Sequence, residues 1–180
     1  MSEKITVTSE TTLSNSFVGE TIQVCVVSRD IRRTMEGYVK LGIGPWRVYT
    51  FSPDTVINAT YRGKPEKYSM RLALTMTGGT MWEIIQPLDG PSIYKEFLEA
   101  HGEGIHHVAF NCPGMSMEQR DAEFAKRGAK LIQSGVWRGV VPYAYYETEG
   151  LTTTTFETFI IPTDKPLPDP EEWYPAAPPK

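Results

Sequence analysis

The stretch "TIQVCVVSRDI", residues 21 to 31, places a strand directly before the start of a helix. Its first eight residues form a β-branched run of the length that strands usually have. Asp30 follows at the position of a helix N-cap. Apolar residues then recur at helical spacing, at Ile31, Met35, Tyr38 and Val39. Gly42 and the pair Gly44-Pro45 end this helix, so a β-α unit is predicted here.

Three more strands are predicted in the first half of the chain. "WRVYTF" at 46–51 is a short strand, and "SMRLALTM" at 69–76 alternates apolar residues with others. A Thr-Gly-Gly turn leads from there into "MWEIIQPL" at 81–88. The residues between the first two of these strands, 52–67, are interpreted as a polar connection. The first half is therefore predicted to be β-α-β-β-β.

The second half repeats this order of elements after a linking helix at 91–101. "GIHHVAFNC" at 104–112 is a strand, and Ser116 with Gln119 predicts a capping box for the helix that follows it. That helix is expected to end near Gly128. Three strands are then predicted near 130–138, 142–148 and 154–161.

A repeated unit of this size is a signal of architecture even where residue identity between the copies is weak. It predicts an α+β fold in which two βαβββ modules, 20–89 and 103–162, form one curved, mostly antiparallel mixed sheet. Residues 1–19 are interpreted as an extended N-terminal arm, and 163–180 as a Pro-rich C-terminal tail. Trp173 and Tyr174 are expected to anchor that tail.

Charge and hydropathy argue against several classes of function. The net charge is −4 and the isoelectric point is near 5.4, so we expect no nucleic-acid partner. No apolar run reaches the roughly 18 to 20 residues of a transmembrane helix, and the start of the chain lacks the apolar core of a signal peptide. We therefore expect a soluble cytoplasmic protein with no membrane partner. Cys25 and Cys112 are expected to be small buried hydrophobes, because a reducing compartment disfavours a disulfide.

Four polar side chains stand within the predicted strands, where an isolated polar group is costly unless it finds a partner. They are Gln23, Glu83, His107 and Glu157. Each module supplies one of them from its first strand and one from its last. Taken singly, the two glutamates are expected to face solvent and the histidine to be a satisfied core residue. Taken as a symmetric set, they favour convergence in one cleft between the modules.

Such a set would offer three oxygen ligands and one nitrogen. Two carboxylates and an imidazole suit a divalent metal of borderline character, and two open positions remain for water or substrate. The curved sheet is therefore predicted to surround a metal cleft.

Several motifs together resemble the vicinal oxygen chelate (glyoxalase/bleomycin-resistance/dioxygenase) superfamily, over about residues 20–162. These motifs are "IQVCVVSRDI", "KLGIGPW", "EIIQPLDG" and "GEGIHHVAF". The resemblance is nearest to the methylmalonyl-CoA epimerase-like and glyoxalase-like branch. It implies metal ligands at Gln23, Glu83, His107 and Glu157, one divalent ion per site (Zn, Ni, Co, Mn or Fe), and a homodimer.

The resemblance also distinguishes the histidines. Aligning "QVCV" at 23–26 with "HVAF" at 107–110 selects His107 as the ligand. His106 is then interpreted as structural and as pointing to the opposite face, and His101 as a surface charge at the end of a helix. Epimerases of this branch usually have histidine at the position of Gln23, and the set found here is similar to that of glyoxalase I. The chain shows neither a clear second carboxylate base in "TYRGKPEKYSMR" nor a glutathione-binding pattern.

The function implied is a metal-dependent isomerase, epimerase or lyase that removes a proton beside a metal-bound carbonyl, through an enolate or enediolate. Glu157 is the first candidate for the base and Glu83 the second. The substrate would be a small carbonyl compound, with CoA thioesters among the candidates. Arg71 has two interpretations, a cleft residue facing an anionic group or a solvated strand charge, and the second is favoured.

Two other functions are open at this point. One is a non-catalytic module that sequesters a small molecule, as bleomycin-resistance relatives do. The other is a ring-cleaving dioxygenase, which needs two histidines and a carboxylate around iron. The sequence favours the dioxygenase least, because it places one histidine at a ligand position.

Overall fold

A computed structural model describes residues 17–163 and 167–178. Most of the predicted N-terminal arm, residues 1–16, lies outside the described residues. The described strands are β1 (Thr21–Val27), β2 (Trp46–Phe51), β3 (Val56–Tyr61), β4 (Lys64–Pro65), β5 (Ser69–Thr77), β6 (Thr80–Asp89), β7 (Gly104–Phe110), β8 (Leu131–Trp137), β9 (Val141–Tyr146), β10 (Thr155–Phe159) and β11 (Glu172–Tyr174). The described helices are α1 (Ile31–Lys40), α2 (Ile93–His101), α3 (Met117–Lys126) and α4 (Glu149–Thr152).

The helices begin where local capping signals predict. Asp30 accepts a hydrogen bond of 3.0 Å from the Arg33 backbone N–H at the start of α1. Ser116 and Gln119 form the predicted capping box of α3, with both reciprocal bonds present. The linking helix α2 begins at Ile93, two residues later than predicted, because the Ser92 side chain caps it.

The eleven strands form one sheet in the order β11-β2-β5-β6-β1-β7-β10-β9-β8-β3-β4. Within each half, the first strand pairs in parallel with the last, as β1 with β6 and β7 with β10. The halves join through the antiparallel pair β1–β7. The remaining pairs are antiparallel, so the predicted α+β fold with a curved, mostly antiparallel mixed sheet is confirmed.

The interpretation of 52–67 as a mere polar connection is wrong. This segment contains β3 and β4, and β3 pairs antiparallel with β8 of the other half. Two features hide the strand in the sequence. Only Val56 of the strand is buried and the adjacent Ile57 and Asn58 are both exposed, so apolar alternation is weak, and Asn58 has a left-handed backbone (φ 54°) where the register shifts.

The β2–β3 connection brings the two ends of the sheet together. These strands are consecutive in the chain, yet β2 lies near one end of the sheet and β3 near the other. The ring of Phe51 on β2 stacks on Trp137 of β8, with centroids 4.8 Å apart and planes at 18°. Tyr49 of β2 also packs edge-on against Trp137, with centroids 5.2 Å apart and planes at 77°. The curved sheet thus encloses an interior within a single chain.

The C-terminal tail packs along β2. Strand β11 pairs antiparallel with β2, and the Thr50 N–H and hydroxyl both donate to the Glu171 carboxylate at 2.8 Å. The guanidinium of Arg32 lies 4.4 Å from the ring centroid of Tyr174, and that of Arg47 lies 5.2 Å from Trp173. The expected anchoring role of these two aromatic residues is therefore observed.

Candidate metal centre

Four adjacent strands at the middle of the sheet, in the order β6-β1-β7-β10, each supply one of the four predicted polar side chains. Glu83 lies on β6, Gln23 on β1, His107 on β7 and Glu157 on β10. All four side chains are buried. The predicted convergence of these side chains is therefore observed, and whether they bind a metal stays a prediction.

The strand register explains this convergence. Cys25 lies opposite Glu83 on one side and His107 on the other, so these three residues form one row across the sheet. Ala109 lies opposite both Gln23 and Glu157, which places these three in the next row. Residues opposite each other on paired strands point to the same face. The small side chains of Cys25 and Ala109 leave the space into which the four longer ones extend.

The polar atoms of the four side chains lie within hydrogen-bonding distance. The Gln23 Nε2 atom lies 2.9 Å from Glu83 Oε2 and 3.0 Å from Glu157 Oε2. The His107 Nε2 atom lies 3.2 Å from the same Glu83 oxygen and 3.1 Å from the same Glu157 oxygen. The Gln23 and His107 nitrogens are 3.4 Å apart.

These separations fit a small divalent cation. Two ligands at right angles, each about 2.1 Å from an ion, are about 3.0 Å apart, and the five separations are 2.9–3.4 Å. Rotation of the Gln23 amide by 180° would exchange its nitrogen for its oxygen. The set would then be three oxygens and one imidazole nitrogen, which are suitable donors for such an ion.

Burial and neighbouring charges shift the pKa of both His107 and Glu157. Burial lowers the pKa of His107, but Glu157 and Glu83 outweigh this and raise it to about 9. Burial raises the pKa of Glu157, while the neighbouring His107 opposes that rise. One imidazolium thus offsets only part of the negative charge that two buried carboxylates can carry, and a divalent ion would supply a larger counter-charge in place of the proton.

Cys25 is a part of this cluster that the sequence analysis treated only as a buried hydrophobe. Its sulfur, a Glu83 oxygen and a His107 ring nitrogen lie within 4.8 Å of one another. Burial and the Glu83 carboxylate raise the pKa of the thiol well above its usual range. Cys25 therefore stays a neutral thiol that can donate to Glu83. The signal that could have found it is its position two residues after Gln23, on the same face of β1.

His106 also contacts the cluster, although the sequence analysis gave it a purely structural role. Its Nδ1 atom lies 2.8 Å from Nδ1 of His107, and both rings are buried. The His106 ring also contacts Phe97 and Tyr94 of α2. His101 is half exposed and lies 3.1 Å from the Glu149 carboxylate, as expected of a surface residue.

The structure settles the two interpretations of Arg71. Met70 and Leu72, its neighbours on β5, line the pocket described below, so Arg71 points to the opposite face of the sheet. Its guanidinium lies 3.4 Å from Glu172 of the tail. The interpretation as a cleft residue is wrong.

A pocket opens beside the cluster and has about 560 Å³ of space between its walls, its open mouth included. Gln23, Glu83 and Glu157 line it, whereas His107 lies behind them and is fully buried. The other twelve lining residues are aliphatic or aromatic, and Trp137, Tyr143 and Tyr145 are among them. A substrate in this pocket would therefore meet three of the four side chains from one side.

Comparison with known proteins identifies the family. The model of the glyoxalase/bleomycin resistance protein/dioxygenase superfamily matches residues 22–145. The chain belongs to this superfamily. The matched range contains Gln23, Glu83 and His107, while Glu157 lies beyond it.

Among curated proteins, the chain is similar to the uncharacterized protein YqjC of Bacillus subtilis. The two are 37% identical over 51 residues, which are 28% of this chain and 36% of that protein. The chain therefore matches about a third of the length of this relative.

The fold of this chain is shared by solved structures of other proteins. The hypothetical protein BH1468 of Bacillus halodurans has a TM-score of 0.58 at 18% identity, covering 82% of this chain and 97% of that one. Methylmalonyl-CoA epimerase of Mycobacterium tuberculosis has a TM-score of 0.53 at 15% identity, covering 77% and 85%. The enzyme of Streptomyces coelicolor in complex with 2-nitronate-propionyl-CoA has 0.53 at 14%, covering 78% and 96%.

The described helices do not meet the requirements of a membrane span. In the ranges 17–163 and 167–178, none of them is both long enough and apolar enough to cross a bilayer.

Proposed function

We propose that this protein is a divalent-metal-dependent isomerase, epimerase or lyase that removes a proton beside a carbonyl group, through an enolate or enediolate. The observation that carries the proposal is the convergence of Gln23, Glu83, His107 and Glu157 beside a pocket that three of them line. The fold shared with methylmalonyl-CoA epimerases supports the same class of reaction.

The four converging side chains would hold the ion, which would be zinc, nickel, cobalt, manganese or iron. When bound, such an ion supplies positive charge that stabilises the negative charge developing on the carbonyl oxygen. His107 lies behind the other three side chains and is shielded from the pocket, so it would serve as a ligand and take no part in proton transfer. Gln23 is uncharged and limits the negative charge of the set to that of two carboxylates.

Glu157 is the first candidate for the base. It lines the pocket, and burial raises the pKa of its carboxyl group, which brings its basicity closer to that required near neutral pH. The carboxylate would take the proton from the carbon beside the carbonyl and return it to the same carbon or a neighbouring one. Glu83, which also lines the pocket, is the second candidate.

The Glu157→Gln variant tests this assignment, since glutamine keeps an oxygen donor but is not a base. Metal content is measured after loading with each of the five ions. Deuterium uptake from D₂O is followed by NMR with two probes, methylmalonyl-CoA and 1-hydroxy-1-phenylpropan-2-one. We expect stoichiometric metal in both proteins and an exchange rate at least about 100-fold lower in the variant.

The matched control is Glu99→Gln, a surface glutamate on α2, which should change neither quantity. Unchanged exchange in Glu157→Gln would transfer the role of base to Glu83, to be tested by Glu83→Gln. A protein that binds none of the five ions, or that exchanges neither probe when loaded, would contradict the proposed function.

A second candidate is a non-catalytic module that sequesters a small molecule. The apolar walls of the pocket favour it, because they suit ligand retention without chemistry. Stoichiometric metal together with proton exchange would exclude it. A ring-cleaving dioxygenase gains no support from the geometry, because His107 is the one histidine among the four converging side chains.

A further inference from the structure

The pocket separates charged and apolar groups sharply. Gln23, Glu83 and Glu157 lie at its floor, and the other twelve lining residues are aliphatic or aromatic. Among the described residues, no lysine or arginine lines it. Arg138 lies nearby, 5.7 Å from the Trp137 ring centroid, but is not part of the wall.

One of the two tyrosine hydroxyls in these walls, that of Tyr143, already has a hydrogen-bond partner. The hydroxyl of Tyr143 is 2.6 Å from that of Tyr68, so the two satisfy each other. The Trp137 indole N–H, buried and without a partner among the described residues, and the Tyr145 hydroxyl are therefore the few hydrogen-bonding groups that a ligand along the walls could reach.

This composition discriminates between carbonyl compounds. The pantetheine arm of a CoA thioester contains two amides, and a glutathione adduct contains carboxylates and an ammonium group. Most of these groups would lose their hydration against the walls without finding a hydrogen-bond or charge partner there. An aromatic ring would instead gain contact with Phe51, Trp137 and Phe159.

We infer that the substrate is an uncharged α-hydroxy ketone that carries an aromatic ring, and that this ring lies against the apolar walls. The inference rests on the proposed function, which places the two oxygens at the floor. The reaction would move the carbonyl of an α-hydroxy ketone to the adjacent carbon. Glu157 takes the proton from the carbon that bears the hydroxyl group and returns it to the former carbonyl carbon. The hydroxyl proton passes from one oxygen to the other, so no oxidant or reductant is needed.

Binding to metal-free and metal-loaded protein tests this inference separately from catalysis. The probes are 1-hydroxy-1-phenylpropan-2-one, the same compound with a carboxylate at the para position of its ring, and methylmalonyl-CoA. Calorimetry or saturation-transfer NMR gives the affinities. We expect the neutral ketone to bind at least about 10-fold more tightly than the para-carboxylate in both forms of the protein.

A charge placed on the wall should change that preference. Val141 is a half-buried wall residue at the start of β9, and Val141→Lys should reduce the ratio of the two affinities by several-fold. Val136→Lys on the adjacent strand β8 is the matched control, since Val136 is half-buried and outside the wall, and the ratio should stay the same. The comparison of ligands on the unsubstituted protein stands even if a variant fails to fold.

The outcomes separate the two proposals. Preferential binding of the para-carboxylate or of methylmalonyl-CoA would overturn the inference, even if the protein exchanges α-protons. Preferential binding of the neutral ketone without any exchange would support the inference and contradict the proposed function.

Discussion

The Nδ1 atoms of His106 and His107 lie 2.8 Å apart, so one of these neighbouring rings donates a hydrogen bond to the other. Burial, with the neighbouring His107, lowers the pKa of His106 well below its usual range, so His106 is neutral and can accept. If His107 uses Nε2 toward a metal, its proton must be on Nδ1. The pair therefore selects the tautomer of His107 that a metal ligand requires.

We predict that His106→Leu weakens metal affinity about 10- to 100-fold, because His107 loses the acceptor that orients its ring. His106→Asn should lose less, since its side-chain oxygen can replace Nδ1 as an acceptor. Competition with a chromophoric chelator gives both affinities, and thermal unfolding of the metal-free variants controls for folding. Equal affinity in the two variants would contradict this positioning role.

A second prediction concerns the space between the converging side chains. Ala109 lies opposite both Gln23 and Glu157, so Ala109→Leu would fill the position where they meet. We expect a loss of metal binding and a decrease of about 1–3 kcal/mol in the free energy of unfolding. Ala125→Leu on the exposed side of α3 is the control, and urea denaturation should show almost no change for it. Retention of metal by Ala109→Leu would mean that the side chains meet elsewhere.

A third prediction is a pH dependence of stability at Glu103. Its carboxylate accepts hydrogen bonds from the Arg33 guanidinium (2.6 Å), the Arg29 backbone N–H (2.8 Å) and the Ser28 hydroxyl (2.9 Å). The Arg33 guanidinium is the largest of these influences, and together they lower the pKa of Glu103 from its ordinary 4.5 to about 2. A carboxylate with a lowered pKa stabilises the fold above the unfolded-state value, and that contribution disappears as the pH falls through the folded-state value.

Glu103→Gln should therefore lower the free energy of unfolding by up to about 1 kcal/mol at pH 7, a magnitude typical of exposed ion pairs. The difference from the unsubstituted protein should shrink below pH 4.5 and approach zero near pH 2. Urea denaturation across this range measures it. Glu118→Gln, on the exposed first turn of α3, provides a comparison at a site without an ion pair across the fold. A difference that is constant with pH would assign the effect of Glu103→Gln to packing.

A fourth prediction concerns the contact that closes the sheet. Trp137 is buried, stacks on Phe51 and packs edge-on against Tyr49. We expect Trp137→Ala to lower the free energy of unfolding by about 3–5 kcal/mol. Trp173→Ala, in the half-buried strand of the tail, should cost clearly less. If both variants lose a similar amount of unfolding free energy, the contact between β2 and Trp137 adds little to what the burial of any tryptophan contributes.

The sequence predicts the parts of this fold that depend on neighbouring residues. The caps at Asp30 and Ser116 and the strand-helix order of both halves rest on contacts within a few residues. Strand β3 was missed because its partner β8 begins at Leu131, 70 residues after β3 ends at Tyr61. No local pattern reports such a pairing, and the exposure of the adjacent residues Ile57 and Asn58 removes the alternation that marks most strands.

The candidate metal centre likewise contains residues that the sequence could predict and residues that it could not. Gln23, Glu83, His107 and Glu157 could be singled out because a polar residue inside an apolar strand needs a reason. The part played by Cys25 depends on the strand register, and that of His106 depends on the orientation of its ring. Spacing along β1 places Cys25 on the same face as Gln23, but it does not show that Glu83 and His107 lie opposite Cys25, nor where the His106 ring points.

The crossing of β3 to the far end of the sheet has a consequence for synthesis on the ribosome. When β2 and β3 emerge, the edge that β3 must join has not yet been translated, because β8 lies 70 residues downstream. The N-terminal half can therefore collapse early but cannot complete its pairing. Strand β3 can pair with β4 at once, but its other edge stays unpaired until the C-terminal half arrives, and an unpaired strand edge is prone to join other chains.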